Sequence, residues 1–212
     1  MQDVDQERGA ARETLCRLLA ACYYEPGPEF EEENVFNSML DAASRLHPEL
    51  AAHARLLGAA FSAEKPESLL IDYTRLFLGP NHIIAKPYGS VWLDGENALM
   101  QESTMAIEEL YAEGGFEIDE NFRELPDHIA AELEFLYLLI YRQNEARRND
   151  DTGAMTAIAS LRKQLLEAHL GRWIGPFTAA VSAGAQSDFY RELAALTERF
   201  VRMEAEAEPA SR

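Results

Sequence analysis

A chain of 212 residues with 47% hydrophobic side chains can close a substantial core, and 37 acidic against 19 basic residues give it a net charge of -18. That charge works against nucleic acid and anionic lipid as partners and favours cationic ones. It leaves two readings open: an acidic surface that keeps the chain soluble, which is the plainer one, and a field that steers a basic partner. The longest apolar stretch, Phe135 to Tyr141, falls far short of the roughly 18 residues a membrane-spanning helix needs, so no stable membrane insertion is expected. Residues 1–8 are acidic where a secretory signal is basic, and no apolar segment follows, so the expected compartment is the cytoplasm.

In chain order the pattern is helical almost throughout. Leu15, Leu18, Leu19 and Cys22 repeat at i, i+3, i+4 and i+7, predicting a first helix from about residue 5 to 24 that residues 26–28 (Pro-Gly-Pro) end. Cys16 and Cys22 on this helix are separated by about 9 Å of axial rise, too far to bridge each other, and read as small core residues. A second helix is predicted over residues 29–46, stopping before Pro48. Leu50, His53, Leu57 and Phe61 mark a third. Pro66 opens a fourth whose buried stripe is Leu69, Leu70, Tyr73, Leu76 and Phe77, ended by Gly79 and Pro80.

Residues 79–96 are the longest stretch without a helical pattern, yet they hold Ile83, Ile84, Tyr88, Val91 and Trp92 among prolines and glycines. Long apolar loops inside helical domains are commonly functional. Asn97 is the predicted cap of a fifth helix reaching residue 113, broken by Gly114 and Gly115, and residues 116–124 form a polar connector. Pro126 then stands as the first residue of a helix running to about Arg148, with Asp127 in an exposed first turn. Asp151 or Thr152 caps a seventh helix carrying Met155, Ile158, Leu161 and Leu165. After a break at residues 171–176 come a short helix and a last one capped by Ser187, with a polar, frayed tail from Glu204. Strand signals are nearly absent, so the fold class is all-α, a bundle of about eight to nine helices with a long ordered loop between the fourth and fifth.

Most catalytic chemistry lacks its motif. Neither phosphate-binding glycine loop is present, no Cys-x-x-Cys pair exists, and Ser90 does not sit in a Gly-x-Ser-x-Gly elbow. His128 and Glu132 lie four apart, as two metal ligands might, but the other histidines supply no matching pair, so no metal is expected. What stands out is recognition chemistry. Tyr88 and Trp92 are of the type enriched at interface hot spots, and Pro80 and Pro87 would pre-order their loop. The plainer readings stay open beside this one: Trp92 as core, Leu76 and Phe77 as helix stripe, Asp127 and His128 as a capping pair with the imidazole bonded locally.

Three segments in order resemble the TorD/DmsD family of redox-enzyme maturation chaperones. Its Tyr-x-x-Leu-Phe-x-Gly-Pro pattern falls on Tyr73, Leu76, Phe77, Gly79 and Pro80. Its Pro-Tyr/Trp-x-Ser-Val-x-x-Asp pattern falls on Pro87, Tyr88, Ser90, Val91 and Asp94, and its Pro-Asp-His hinge on Pro126, Asp127 and His128. Lys86 and Tyr88 depart from the proline or small residue and the tryptophan that several members carry there.

The resemblance implies one all-helical domain over residues 1–212 with a hinge near 114–126. It also implies a partner: the twin-arginine signal peptide, and in some members the catalytic core, of a molybdopterin-dependent oxidoreductase whose cofactor is loaded before export. The candidate binding residues are Leu76, Phe77, Gly79, Pro80, Pro87, Tyr88, Ser90, Asp94, Pro126, Asp127 and His128 from the motifs, with Trp92 and Glu124 added on their own chemistry. Arginine forks prefer carboxylates, and Asp127, Glu124 and Asp94 are the sequence candidates. No cofactor is implied, and monomer and dimer are both compatible with the sequence. The alternative from another class is a small helical enzyme using Asp127 and His128 as an acid/base pair.

Overall fold

A computed structural model of the chain describes residues 2–79, 82–95, 99–119 and 122–207. Eleven α-helices stand among these residues, and no strand does. They are α1 (Gln2–Ala21), α2 (Glu29–Glu32), α3 (Val35–Leu46), α4 (Pro48–Ala63), α5 (Pro66–Tyr73), α6 (Gly89–Leu93), α7 (Glu102–Gly114), α8 (Ile129–Arg148), α9 (Thr152–Ala168), α10 (Leu170–Gly184) and α11 (Asp188–Glu206). Their boundaries follow local chemistry. Pro48 and Pro66 stand in first turns, where a missing N–H costs nothing. Asp151 accepts from the Ala154 N–H at 2.9 Å, and Ser187 caps α11. The predicted all-α class and the caps at Asp151 and Ser187 are therefore those of the structure.

The differences have identifiable causes. The helix predicted over 29–46 is two, because Asn34 adopts the left-handed region at φ 53° and turns the chain between α2 and α3. Pro176, expected in a break, lies inside α10. Losing one helical bond there costs about 3 kcal/mol, but Trp173, Ile174, Phe177 and Val181 are all buried on that helix. At about 1.5–3 kcal/mol per buried side chain, their burial outweighs the loss. Glu204, expected in a frayed tail, is fully buried within α11. The long stretch read as loop contains α6, and α7 starts at Glu102; its predicted cap Asn97 lies outside the described residues.

Helix α8 organises the bundle. It packs against α1 on one side and α9 on another, with α3 behind α1 and α4 lying across both α3 and α11. Helix α10 runs against α9 and α11 and receives the short α6. Between them sits an aromatic cluster in which Phe77 meets Tyr23, Tyr73, Phe177 and Tyr190 with ring centroids 5.4–6.2 Å apart. Cys16 and Cys22 are free and buried in the same core, and burial pushes the Cys22 thiol up to about 12.

A second tie is ionic. The Glu204 carboxylate accepts from Arg12 at 2.6 and 2.7 Å and from Arg162 at 3.0 Å, joining α11 to α1 and α9. Gln143 of α8 accepts from the same Arg162 at 2.9 Å.

Two substitutions separate these terms. Phe77→Ala is expected to cost about 3–5 kcal/mol through the cavity it leaves. Glu204→Ala should cost a similar amount, about 3–5 kcal/mol, because it strips two largely buried guanidiniums of this carboxylate. Urea denaturation read by far-UV dichroism measures both; a Glu204→Ala loss below 1 kcal/mol would show the cluster to be dispensable.

Candidate functional site

The first motif folds as a helix that widens. After α5 the backbone forms a π-turn over Thr74–Leu78, closed by the Gly79 N–H donating to the Thr74 carbonyl at 2.7 Å. Gly79 has φ 46°, and a Cβ there would stand 2.4 Å from the His82 carbonyl oxygen, so only glycine fits. Asp72, just upstream, is buried. Its Oδ2 accepts from the Gln186 and Ser187 N–H groups and the Ser187 hydroxyl at 2.8–3.0 Å, while Arg75 donates to Oδ1. This carboxylate fastens the motif helix to the start of α11. Leu76 and Phe77 are core, as the stripe reading had it.

The second and third motifs meet through their backbones. Tyr88 and His128 form an isolated antiparallel bridge, in which Gly89 N–H donates to the Asp127 carbonyl and Ile129 N–H to the Pro87 carbonyl, each at 2.8 Å. The Asp127 carboxylate then accepts from the Ser90 N–H at 2.8 Å, capping α6 from across the junction. His128 is the N-cap of α8, its Nδ1 accepting from the Ala130 N–H at 3.2 Å. Helix α8 thus starts at Ile129; Pro126 and Asp127 form a turn before it, held by Tyr111, whose phenol donates to the Pro126 carbonyl at 2.9 Å.

Asp127, expected in an exposed first turn, is only 1% exposed, and His128 only 4%. The reason is the bridge, which folds the loop over both side chains. Burial lowers the His128 pKa to about 4, keeping the imidazole neutral and able to accept the capping bond.

Beneath this junction lies Glu132, which sequence reasoning set aside as half of a metal pair. Both its oxygens accept from the Trp173 indole N–H, at 3.1 and 3.2 Å. Burial pushes the carboxyl well above its ordinary range, with the indole bond working the other way. A Cβ on Gly89 would come within 3.0 Å of both Glu132 Oε1 and Trp173 Nε1, so glycine lets α6 rest directly on this pair. The signal for Glu132 was an acidic residue in the apolar run that opens α8, which it shares with Glu134. Nothing in sequence spacing pointed to Trp173 as its partner, or to Asp72 as the partner of Ser187.

The sequence-predicted site therefore divides. Leu76, Phe77, Pro87, Ser90, Asp127 and His128 are buried and shape the site from below. Gly79, Tyr88, Trp92, Glu124 and Pro126 are half-buried and Asp94 is exposed; Pro80 lies outside the described residues. On this accessible side the Tyr88 phenol donates to Glu124 at 2.5 Å, and burial together with that bond raises its pKa. The Trp92 indole donates to the Lys86 carbonyl at 2.9 Å while its ring meets Phe177 at 6.4 Å, so it is both core and rim. Asp94 accepts from Ser103 at 2.7 Å. Among the described residues no group of three or more His, Cys, Asp or Glu is placed to hold a metal ion.

An all-α bundle that spends Asp127 and His128 on backbone donors, under a rim of half-buried aromatic and acidic side chains, has the build of a recognition protein. Residues 38–179 match the family model described as nitrate reductase delta subunit, and the chain belongs to that family. It is 29% identical over 181 residues to the Tat proofreading chaperone DmsD of Salmonella typhi, covering 85% of this chain and 82% of that one. It is 26% identical over 168 residues to the chaperone protein TorD of Vibrio parahaemolyticus, covering 79% and 71%. A crystal structure from Archaeoglobus fulgidus, described as a candidate redox enzyme maturation protein, aligns over 92% of this chain and 91% of that one at 20% identity with a TM-score of 0.49.

The junction gives two expectations. Asp127→Ala should cost about 1–3 kcal/mol of stability by leaving the buried Ser90 N–H without its acceptor; a melting temperature unchanged from the parent would refute the capping role.

The lowered His128 pKa also sets a pH dependence. Between pH 6.5 and about 4 the unfolded state binds a proton that the folded state refuses, so His128's contribution is complete above pH 6.5 and is lost as pH falls, up to about 3 kcal/mol. Glu132 acts oppositely, its contribution being complete at low pH and lost as pH rises above 4.5. The difference in stability between parent and His128→Asn from pH 7 to 4, by chemical denaturation, isolates the histidine and should shrink toward acid.

Proposed function

We propose that this protein is a cytoplasmic, non-catalytic chaperone. It binds the twin-arginine signal peptide, the apo form, or both, of a molybdopterin-dependent oxidoreductase, and assists cofactor loading before export. What carries the reading is family membership joined to one structural fact: the Pro87–Ser90 and Pro126–Ile129 segments, far apart in sequence, are bonded into one junction under Tyr88 and Glu124. The likeness to relatives named DmsD and TorD supports the partner class. No helix among the described residues is long and apolar enough to cross a membrane.

The physical logic is complementary. A twin-arginine segment is cationic and continues into an apolar helical stretch, and it needs acid beside apolar surface. The net charge of -18 supplies a long-range attraction, and the rim supplies aromatic contact area. In this proposal the whole chain works as one domain, with residues 114–126 as the hinge that adjusts the rim to its peptide, and the six buried motif residues act through the surface they support. The enzyme alternative has no support: Asp127 and His128 are buried, and each is engaged by a backbone N–H.

Capture of the client from native cells and its identification tests the partner class directly. In titration calorimetry with a twin-arginine peptide, affinity should fall as salt rises, since charges more than about 8 Å apart are screened at physiological ionic strength. A flat response would mean that the acidic surface only solubilises. Tyr88→Ala should weaken binding by about 1–3 kcal/mol with little change in melting temperature.

A further inference from the structure

Beside the junction lies a cavity of about 360 Å³ whose walls include Tyr24, Phe116, Phe122 and Ala131 and whose carboxylates include Glu117 and Glu134. No lysine or arginine stands among the described residues that line it. Glu134 is half-buried and its Oε1 accepts from the Tyr24 phenol at 2.7 Å. Burial raises its pKa, the cost of holding a carboxylate there, and the Tyr24 bond offsets only part of this.

A row of ring contacts links the cavity wall to the rim. Tyr24 meets Phe122 edge-on at 6.4 Å, Phe122 meets His128 at 6.2 Å, and His128 meets Tyr88 at 5.5 Å. Each end of the row is a tyrosine donating to a glutamate: Tyr24 to Glu134, and Tyr88 to Glu124. None of Tyr24, Phe122 and Glu134 belongs to the motifs that carry the sequence resemblance.

We infer that this cavity is a guanidinium subsite, in which Glu134 takes one arginine of a paired-arginine peptide against Tyr24 and Phe122 while Glu124 takes the other beside Tyr88. The inference rests on the proposed function and assigns its cationic contacts. It replaces two of the sequence candidates, since Asp127 is buried on Ser90 and Asp94 lies on the Ser103 side.

Guanidinium is the chemistry that fits. Its planar fork donates two parallel hydrogen bonds to a carboxylate and stacks on aromatic faces, whereas an ammonium is a compact, strongly hydrated point charge. A carboxylate offers about four lone-pair positions, so Glu134 can keep the Tyr24 bond and accept a fork. Adjacent residues of an extended peptide project to opposite sides, which suits two separated carboxylates better than one shared one.

Calorimetry with synthetic peptides bearing two adjacent arginines ahead of an apolar stretch, and with the same peptides carrying two lysines or one arginine and one glutamine in either order, tests this. Glu134→Gln keeps an acceptor for Tyr24, so its melting temperature should match the parent. The parent should prefer the arginine pair to the lysine pair. Glu134→Gln should weaken the arginine pair by about 10- to 100-fold, the range of a charge-assisted hydrogen bond, and narrow that preference. It should weaken only one of the two single-arginine peptides, and Glu124→Gln the other. The subsite is overturned, with the proposed function intact, if the parent binds the arginine pair tightly and Glu134→Gln binds it equally well. It is also overturned if Glu134→Gln weakens arginine and lysine peptides, or both single-arginine peptides, alike. A parent that binds the arginine pair no better than an arginine-free peptide overturns the inference and the proposed function together.

Discussion

The hydrogen bond from the Ser90 N–H to the Asp127 carboxylate is the contact on which the accessible surface depends. Around it, Gly89 donates to the Asp127 carbonyl and Ile129 to the Pro87 carbonyl, so three backbone donors from two distant segments are satisfied at one junction. That duty occupies the Asp127 Oδ2, and capping α8 occupies the His128 Nδ1. The most chemically suggestive pair in the chain is therefore a fastener, and the half-buried side chains beside it are Tyr88, Glu124 and their neighbours.

The same device recurs. Asp72 holds α5 and its π-turn to the start of α11, Glu132 holds α8 to Trp173 of α10 beneath Gly89, and Glu204 gathers Arg12 and Arg162. Each carboxylate lies at a crossing of helices distant in sequence, where apolar packing alone permits sliding. Buried polar groups of this kind add little net stability when satisfied but are costly when disturbed, which makes the arrangement of helices specific. For a protein proposed to grip an extended peptide, such fixed supports keep a shallow rim from collapsing into the core.

Support and rim divide the labour in this junction. Residues that close the junction are constrained by backbone geometry. Those on the rim, such as Tyr88 and Glu124, and those lining the neighbouring cavity, such as Tyr24 and Glu134, are bonded pairwise through side chains alone.

Much of this was legible in the sequence because it depends on neighbours along the chain. Helical periodicity, the proline at the first turn of α5 and the caps at Asp151 and Ser187 act within a turn or two, so the all-α class and the starts at Glu29, Pro66, Thr152 and Asp188 could be read directly. Leu76 and Phe77 were readable as core from the same stripe. What the sequence could not decide is everything that rests on partners far along the chain. Whether Asp127 is exposed or buried depends on Ser90, whether Glu132 is a ligand or a clamp depends on Trp173, and whether Glu204 frays or anchors depends on Arg12 and Arg162. A carboxylate looks alike in every sequence window; only tertiary structure, by setting its solvation and its donor, decided which of these became fasteners and which face a cavity.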